Sequence, residues 1–137
     1  MDLTKPLFNK SLAGFFIRVP IGLYFVISAR LLMQDIDSFA LAIRELEVLP
    51  DHLATLFGVV IPYLQFGVGV LLIVGYLTVL SSFVSLLLLS SFVYAYGVYP
   101  NEIIPFNKDI IWIGAILALL STGAGAFSID NFRNKGS

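Results

Sequence analysis

Cysteine is absent from the 137-residue sequence, and histidine occurs only once, as His52. Without cysteine, disulfide frameworks, thiol catalysis, thiolate zinc sites and covalently attached c-type haem are all excluded. A single histidine cannot supply both ligands of a bis-histidine haem. We therefore expect neither a catalytic residue set nor a metal site in this chain alone, and no self-contained cofactor. Any redox centre would have to be shared with a partner.

Charged residues are also scarce. They make up 12% of the sequence, against about 25% in an ordinary soluble domain. Hydrophobic residues make up 58%, and the mean hydropathy is +0.94. The net charge of −1 provides no basic surface, so nucleic-acid binding has no electrostatic support. This composition is typical of a protein whose solvent is the lipid bilayer.

The longest uncharged stretch comprises the 49 residues between His52 and Glu102. Because about 20 helical residues cross a bilayer core, this stretch predicts two spans joined by a tight turn at residues 75–78. Two further apolar stretches complete the set. The predicted spans are residues 14–33, 53–74, 79–99 and 110–129. The sequence therefore predicts an all-α integral membrane four-helix bundle forming a single domain over residues 1–137.

A shorter segment, residues 35–49, lies between the first two spans and is too charged to cross a membrane. Its apolar residues recur at helical spacing, with charged residues on the other faces. This pattern predicts a short amphipathic helix at the membrane interface, with Asp35 or Asp37 as its N-cap and Pro50 ending it. Asp51 is predicted to cap the second span.

The basic residues favour one orientation. Four spans place both termini on one side, and the terminal segments contain Lys5, Lys10, Arg133 and Lys135. The opposite loops contain only Arg44 and Lys108, among Asp35, Asp37, Glu45, Glu47, Asp51, Glu102 and Asp109. By the positive-inside rule we expect both termini in the cytoplasm. We also expect the protein to be integral to a cell membrane, the bacterial inner membrane.

Aromatic residues are concentrated near the predicted outer ends of the last two spans. They are Tyr94, Tyr96, Tyr99 and Trp112. Since tyrosine and tryptophan prefer the headgroup region, we expect these side chains to be interfacial anchors.

Arg18 lies inside the first span, where an ionisable group needs a partner or access to water. Three interpretations are open. Its side chain could snorkel to the headgroups, since it lies one turn inside the cytoplasmic end. It could form an ion pair with Asp130, which follows the last span on the same side and would join the first and last helices. It could also donate to a quinone carbonyl or a lipid phosphate.

In the second span, Pro62, Gln65 and Gly69 share one helical face. A proline, an amide and a small residue on one face are typical of a helix-packing seam. The functional alternative is a small-molecule site lined by Gln65, with Tyr63 and Arg18 as further binding candidates.

The third span contains five serines, of which Ser81 and Ser85 have the small-xxx-small spacing of close helix packing. No G-x-S-x-G motif accompanies them, so these serines do not indicate a hydrolase.

Several short motifs resemble the DoxX family. They are Arg18 followed by Gly22, the second-span residues Pro62, Gln65, Gly67 and Gly75 with Leu77 and Thr78, and the closing residues 123–130. The resemblance covers nearly the whole chain. It implies a small four-helix membrane protein, in some members associated with thiosulfate:quinone oxidoreductase or other membrane oxidoreductases. Many relatives have a glutamate where Gln65 stands, and cysteines before the last span, which this chain lacks.

Three functions remain possible. The first is an accessory or quinone-proximal subunit of a membrane oxidoreductase assembly, with other membrane subunits as partners and a quinone or lipid as its possible ligand. The second is a small-molecule carrier or channel lined by Gln65 and the serines, although few charges are predicted inside the bundle, which argues against ion coupling. The third is a structural or assembly factor that binds partner helices.

Overall fold

The computed structural model describes residues 3–97 and 107–135, which form six helices and no strands. The helices are α1 (Lys10–Gln34), α2 (Ile36–Glu45), α3 (Asp51–Val74), α4 (Thr78–Tyr96), α5 (Asp109–Thr122) and α6 (Ile129–Lys135). Three of them, α1, α3 and α4, are long and apolar enough to cross a membrane, and α5 is a shorter apolar helix. The predicted all-α membrane bundle is confirmed.

Glycines bring α1 and α3 together at their crossing. A Cβ atom added to Gly22 would lie 2.8 Å from the carbonyl oxygen of Gly69, and one added to Gly69 would lie 2.9 Å from the carbonyl oxygen of Gly22. The two backbones are therefore in direct contact, as small residues permit between membrane helices. Pro62, Gln65 and Gly69 all lie on the buried face of α3, as their spacing predicts.

The buried face of α4 is polar near its start and apolar further along. Thr78, Ser81, Ser82 and Ser85 are buried, whereas the outward face bears large apolar side chains. The hydroxyl of Ser85 donates to the carbonyl oxygen of Ser81 at 2.7 Å, so this hydroxyl is satisfied within its own helix. The small serine side chains thus line the packed interior of the bundle.

The amphipathic helix α2 packs against α3. Asp35 caps it by accepting a hydrogen bond from the amide of Ser38 at 3.0 Å. A Cβ atom on Gly58 of α3 would lie 2.6 Å from the Cα atom of Ala40, which shows how closely the two helices approach. The helix ends at Glu45, before Pro50.

The start of α3 also differs from the prediction. Pro50 is the N-cap and contributes no side-chain hydrogen bond, while Asp51 is the first helical residue. Asp51 is therefore not the cap expected from the sequence. Its negative charge in the first turn still favours the helix, because it faces the positive end of the helix dipole.

The predicted turn between the second and third spans is present. Helix α3 ends at Val74 and α4 begins at Thr78. Gly75 at φ 70° and Leu77 at φ 48° both adopt the left-handed conformation that reverses the chain. The two helices form an antiparallel hairpin.

The last predicted span is shorter in the structure. Helix α5 ends at Thr122, and residues 123–128 form a non-helical loop with positive φ at Gly123 and Gly125. This loop folds onto the start of α1, where the amide of Ala126 donates to the carbonyl oxygen of Ser11 at 2.7 Å. The beginning of α1 and the end of α5 therefore lie at the same end of the bundle, hereafter the terminal end.

Candidate functional site

The Arg18 side chain is 0% exposed and donates hydrogen bonds only to main-chain carbonyls. Its Nη1 bonds to Leu72 at 3.0 Å and Ile73 at 2.6 Å, its Nε to Ala124 at 3.0 Å, and its Nη2 to Ala126 at 2.9 Å and Phe127 at 2.7 Å. Five acceptors are matched to the five N–H groups of a guanidinium. Arg18 thus has no N–H left for a quinone carbonyl or a lipid phosphate.

These bonds fasten three segments to one another. Leu72 and Ile73 lie in the last turn of α3, where carbonyls lack helical partners and a positive charge is favoured. The other three acceptors belong to the loop that follows α5. Because the side chain is enclosed between these elements, the snorkelling interpretation is wrong.

Asp130 does not form the direct ion pair with Arg18 that the sequence suggests. Its carboxylate accepts hydrogen bonds from the amides of Leu77 at 3.0 Å and Thr78 at 2.7 Å. Asp130 therefore caps the start of α4 from another helix, and its charge lies at the positive end of the α4 dipole. Both side chains close the terminal end of the bundle, each through backbone groups.

Asp130 is expected to make the thermal stability of the protein depend on pH. Partial burial opposes its ionisation, but the bonds from Thr78 and Leu77 and the nearby Arg133 together hold the pKa of Asp130 below its ordinary 3.8. A lowered pKa stabilises the fold at pH values above 3.8, and this contribution is lost as the pH falls below it. Thermal unfolding at neutral pH and at about pH 3 should show a smaller acid-induced loss in Asp130→Asn than in the wild type. An equal loss in both proteins would contradict this.

The three candidate binding residues do not form one site. Gln65 is buried, whereas Tyr63, two residues earlier, is exposed on a different face of α3. Arg18 lies beside Leu72, about 10 Å along the helix from Gln65. The Oε1 atom of Gln65 has no hydrogen-bond partner within the described part of the chain. Gln65 is thus an interior acceptor, and Tyr63 faces outward.

A polar contact that sequence patterns did not indicate lies near the middle of α1. The hydroxyl of Tyr24 donates to Oδ1 of Asp109 at 3.1 Å. Tyr24 is the fifteenth of the 25 residues of α1, about 21 Å along the helix from Lys10 and 15 Å from Gln34. Asp109, at the start of α5, is only 9% exposed. The expectation that Asp109 lies in an outer loop is therefore wrong.

Two neighbours complete this contact. The indole of Trp112 stacks on the ring of Tyr24, with centroids 5.2 Å apart and an interplanar angle of 21°. The ammonium of Lys108 lies 5.7 Å from the centroid of the Tyr24 ring. We call Tyr24, Lys108, Asp109 and Trp112 the Tyr24 cluster.

The aromatic residues predicted as headgroup anchors occupy different positions in the structure. Trp112 stacks on Tyr24 of α1, and its role as a headgroup anchor stays a prediction. Tyr94 is exposed near the end of α4, where an anchor would be. The side chain of Tyr96 and the whole of Tyr99 lie outside the described residues.

An apolar groove of about 600 Å³ lies between α2, α3 and α4. Phe39 and Ile43 of α2 face Phe57 and Ile61 of α3 across it, with Leu88 on α4. None of the proposed binding residues lines this groove. Its walls are suited to hydrocarbon and offer few hydrogen bonds.

The chemistry available to the described residues is limited. They contain no group of three or more histidine, aspartate or glutamate side chains placed to hold a metal ion. Arg18 uses all five of its N–H groups on backbone carbonyls, and Asp130 accepts hydrogen bonds from two backbone amides. Asp109 is different, because a carboxylate is buried there with a single side-chain donor. The Tyr24 cluster is therefore the candidate functional site.

Comparison with known proteins identifies a family. The sequence model of the family described as methylamine utilisation protein MauE matches residues 10–101, which is two thirds of the chain. The match covers α1 to α4 and includes Arg18, Tyr24 and Gln65. No curated protein and no solved structure matches the chain.

The matched family corrects the resemblance drawn from short motifs. Pairs such as Arg18 with Gly22 do not distinguish one family of small membrane proteins from another. Here Arg18 binds a carbonyl at the end of α3 and Gly22 allows α1 and α3 to approach closely, and both are general features of helix packing. MauE is a different membrane family from DoxX, so the DoxX assignment is wrong. This protein belongs to the MauE family.

Proposed function

We propose that this protein is an accessory membrane subunit, without catalytic residues of its own, of an electron-transfer assembly that serves methylamine utilisation. The observation that carries the proposal is the family match over α1 to α4, since the family is described by its role in methylamine utilisation. The composition supports an accessory role, because the chain has no cysteine and only one histidine.

The distribution of polar groups also supports an accessory role. The guanidinium of Arg18 and the carboxylate of Asp130 are used to hold helices together at the terminal end. The outward surfaces of α3 and α4 are lined by large apolar side chains that suit contact with lipid or with other membrane subunits. These surfaces suit a bundle that lies in a membrane in contact with other membrane subunits.

We further propose that the terminal end faces the cytoplasm of a bacterial cell. The positive-inside rule supports this, with four basic residues in the terminal segments against two in the opposite loops. The loop after α5 lies against the start of α1, which supports a common side for both ends. A C-terminal alkaline phosphatase fusion should be inactive and a green fluorescent protein fusion fluorescent; the opposite pattern would overturn this orientation.

The proposed function predicts a growth phenotype. In a methylamine-utilising bacterium that lacks its own MauE-family protein, this chain should restore growth on methylamine, and growth on an unrelated carbon source should not depend on it. Purification in mild detergent from the complemented strain should recover redox subunits with the tagged chain. Failure to restore growth by a chain that accumulates normally, together with its purification as a single protein, would refute the proposal.

A small-cation carrier is the second candidate, and Asp109 is the observation that favours it. Transporters that couple to cations place carboxylates inside the membrane, and Asp109 is buried against the middle of α1. The sequence had indicated no such group. Uptake of labelled methylammonium into liposomes containing the protein separates the two functions, because an accessory subunit would produce no flux above that of empty liposomes.

A further inference from the structure

We propose that the Tyr24 cluster binds a small primary alkylammonium ion, of which methylammonium is the simplest. The inference rests on the proposed function in methylamine utilisation, and it goes further by assigning a site and a ligand class. Three features of the cluster carry it: a buried carboxylate that forms no ion pair with any described residue, an aromatic face beside it, and a lysine ammonium already over that face.

No cationic side chain of the described residues forms an ion pair with the carboxylate of Asp109. It accepts a hydrogen bond from Tyr24, and no lysine, arginine or histidine nitrogen of the described residues lies within 4.0 Å of it. Burying a carboxylate without a cation is costly, and the cost is greater in a membrane. A small cation bound at Asp109 would neutralise this charge.

The aromatic face selects the kind of cation. Tyr24 and Trp112 are stacked, and a cation over the ring of Tyr24 is attracted by its π-electrons. The ammonium of Lys108 occupies this position now, 5.7 Å from the ring centroid. A lysine side chain ends in a primary alkylammonium, so the cluster already accommodates the chemical group that we propose as its ligand.

Lys108 can give way to a ligand. Lys108 is exposed and lies just before the first residue of α5, so its side chain can move without disturbing the helix. A free methylammonium ion is not tethered to the backbone, so it could lie closer to Asp109 than the Lys108 ammonium does, donate an N–H group to the carboxylate and present its methyl group to the aromatic rings. Lys108 therefore acts as a tethered competitor for the site.

The protein contains its own reporter of binding, because Trp112 is its only tryptophan. Titration of the purified protein in detergent with methylammonium chloride should give a saturable change in tryptophan fluorescence, with sodium chloride added to a matched ionic strength as the reference. Asp109→Asn should weaken binding by about tenfold or more, since the charge partner is lost. Lys108→Met should strengthen it, because the competitor is removed.

Asp37→Asn is the matched control, since it removes a carboxylate from an exposed position on α2 and should leave the titration unchanged. Thermal unfolding establishes that Asp109→Asn is folded. If it is not, Lys108→Met keeps the test open, because Lys108 is exposed and the expected effect has the opposite sign. An unchanged or lower affinity in Lys108→Met would overturn the inference.

Three other results would also overturn it: no saturable response in the wild type, an equal response in Asp109→Asn, or a response to pH with none to methylammonium, which would indicate a proton site only. The two proposals fail separately. A chain that restores growth and recovers partners without binding methylammonium refutes the ligand site alone. A chain that binds methylammonium but neither restores growth nor recovers partners refutes the accessory role alone.

Discussion

Arg18→Leu is expected to remove most of the folded protein from the membrane. The substitution leaves five main-chain carbonyls without their donor, in the last turn of α3 and in the loop after α5. Each buried polar group left unsatisfied costs about 1–3 kcal/mol. The bond to Leu72 is fully buried and the other four are partly buried, so the losses should sum to about 5 kcal/mol, which is comparable with the whole net stability of a typical domain.

The measurement is the amount of monodisperse protein after detergent extraction, together with its thermal unfolding. Arg18→Lys should be intermediate, because an ammonium has three donors and cannot reach all five acceptors. Arg30→Leu is the control, since it removes an arginine from an exposed position near the other end of the same helix. Wild-type yield and melting temperature in Arg18→Leu would show that these bonds do not hold the bundle together.

Gly75→Ala is expected to have the second-largest effect. Gly75 ends α3 at φ 70°, a conformation that costs an L-residue about 1–2 kcal/mol. An added Cβ would also overlap the Cβ of Ser128 and lie 2.9 Å from its Cα and 3.1 Å from the Cζ of Arg18. Overpacking of this kind costs about 1–3 kcal/mol, so the total destabilisation should be about 2–5 kcal/mol.

Gly67→Ala is a matched control on the same helix. Apart from its chain neighbours and the backbone of its own helix, no atom of the described residues lies within 4 Å of a Cβ built there, and Gly67 is an ordinary helical residue. Because alanine favours a helix over glycine by up to about 1 kcal/mol, this change should be neutral or stabilising. The two melting temperatures, measured in the same detergent, should move in opposite directions or differ widely. Similar shifts would mean that the contact between Gly75 and Ser128 is not restrictive.

Several elements could be predicted because their signals are local. The uncharged stretch after His52 is long enough for two spans, and Gly75 marks the turn between them. The alternation of charged and apolar residues in 35–49 predicts α2, although not its end at Glu45. Helical spacing also places Pro62, Gln65 and Gly69 on one buried face. Each inference needs only residues close together in the chain.

The partners of Arg18 could not be predicted in this way. Its acceptors are main-chain carbonyls, which every residue has, and three of them lie more than 100 positions away. In the sequence, Asp130 is the obvious charged partner for Arg18. In the structure its carboxylate instead accepts hydrogen bonds from backbone amides at the start of α4, which have no partner within their own helix. The charges in the sequence could not show that Arg18 and Asp130 would both form hydrogen bonds with backbone groups.

The sequence by itself determined that the chain is a helical membrane protein, because hydropathy and charge along it decide where it can cross a bilayer. The tertiary structure alone decided which ionisable groups are buried, and beside what. Helix α5 begins at Asp109 and ends at Thr122. Its packing against α1 brings the carboxylate of Asp109 to the hydroxyl of Tyr24, 85 positions away in the chain. The reason is physical: burial depends on helix lengths and crossings set by long-range packing, which no short segment encodes.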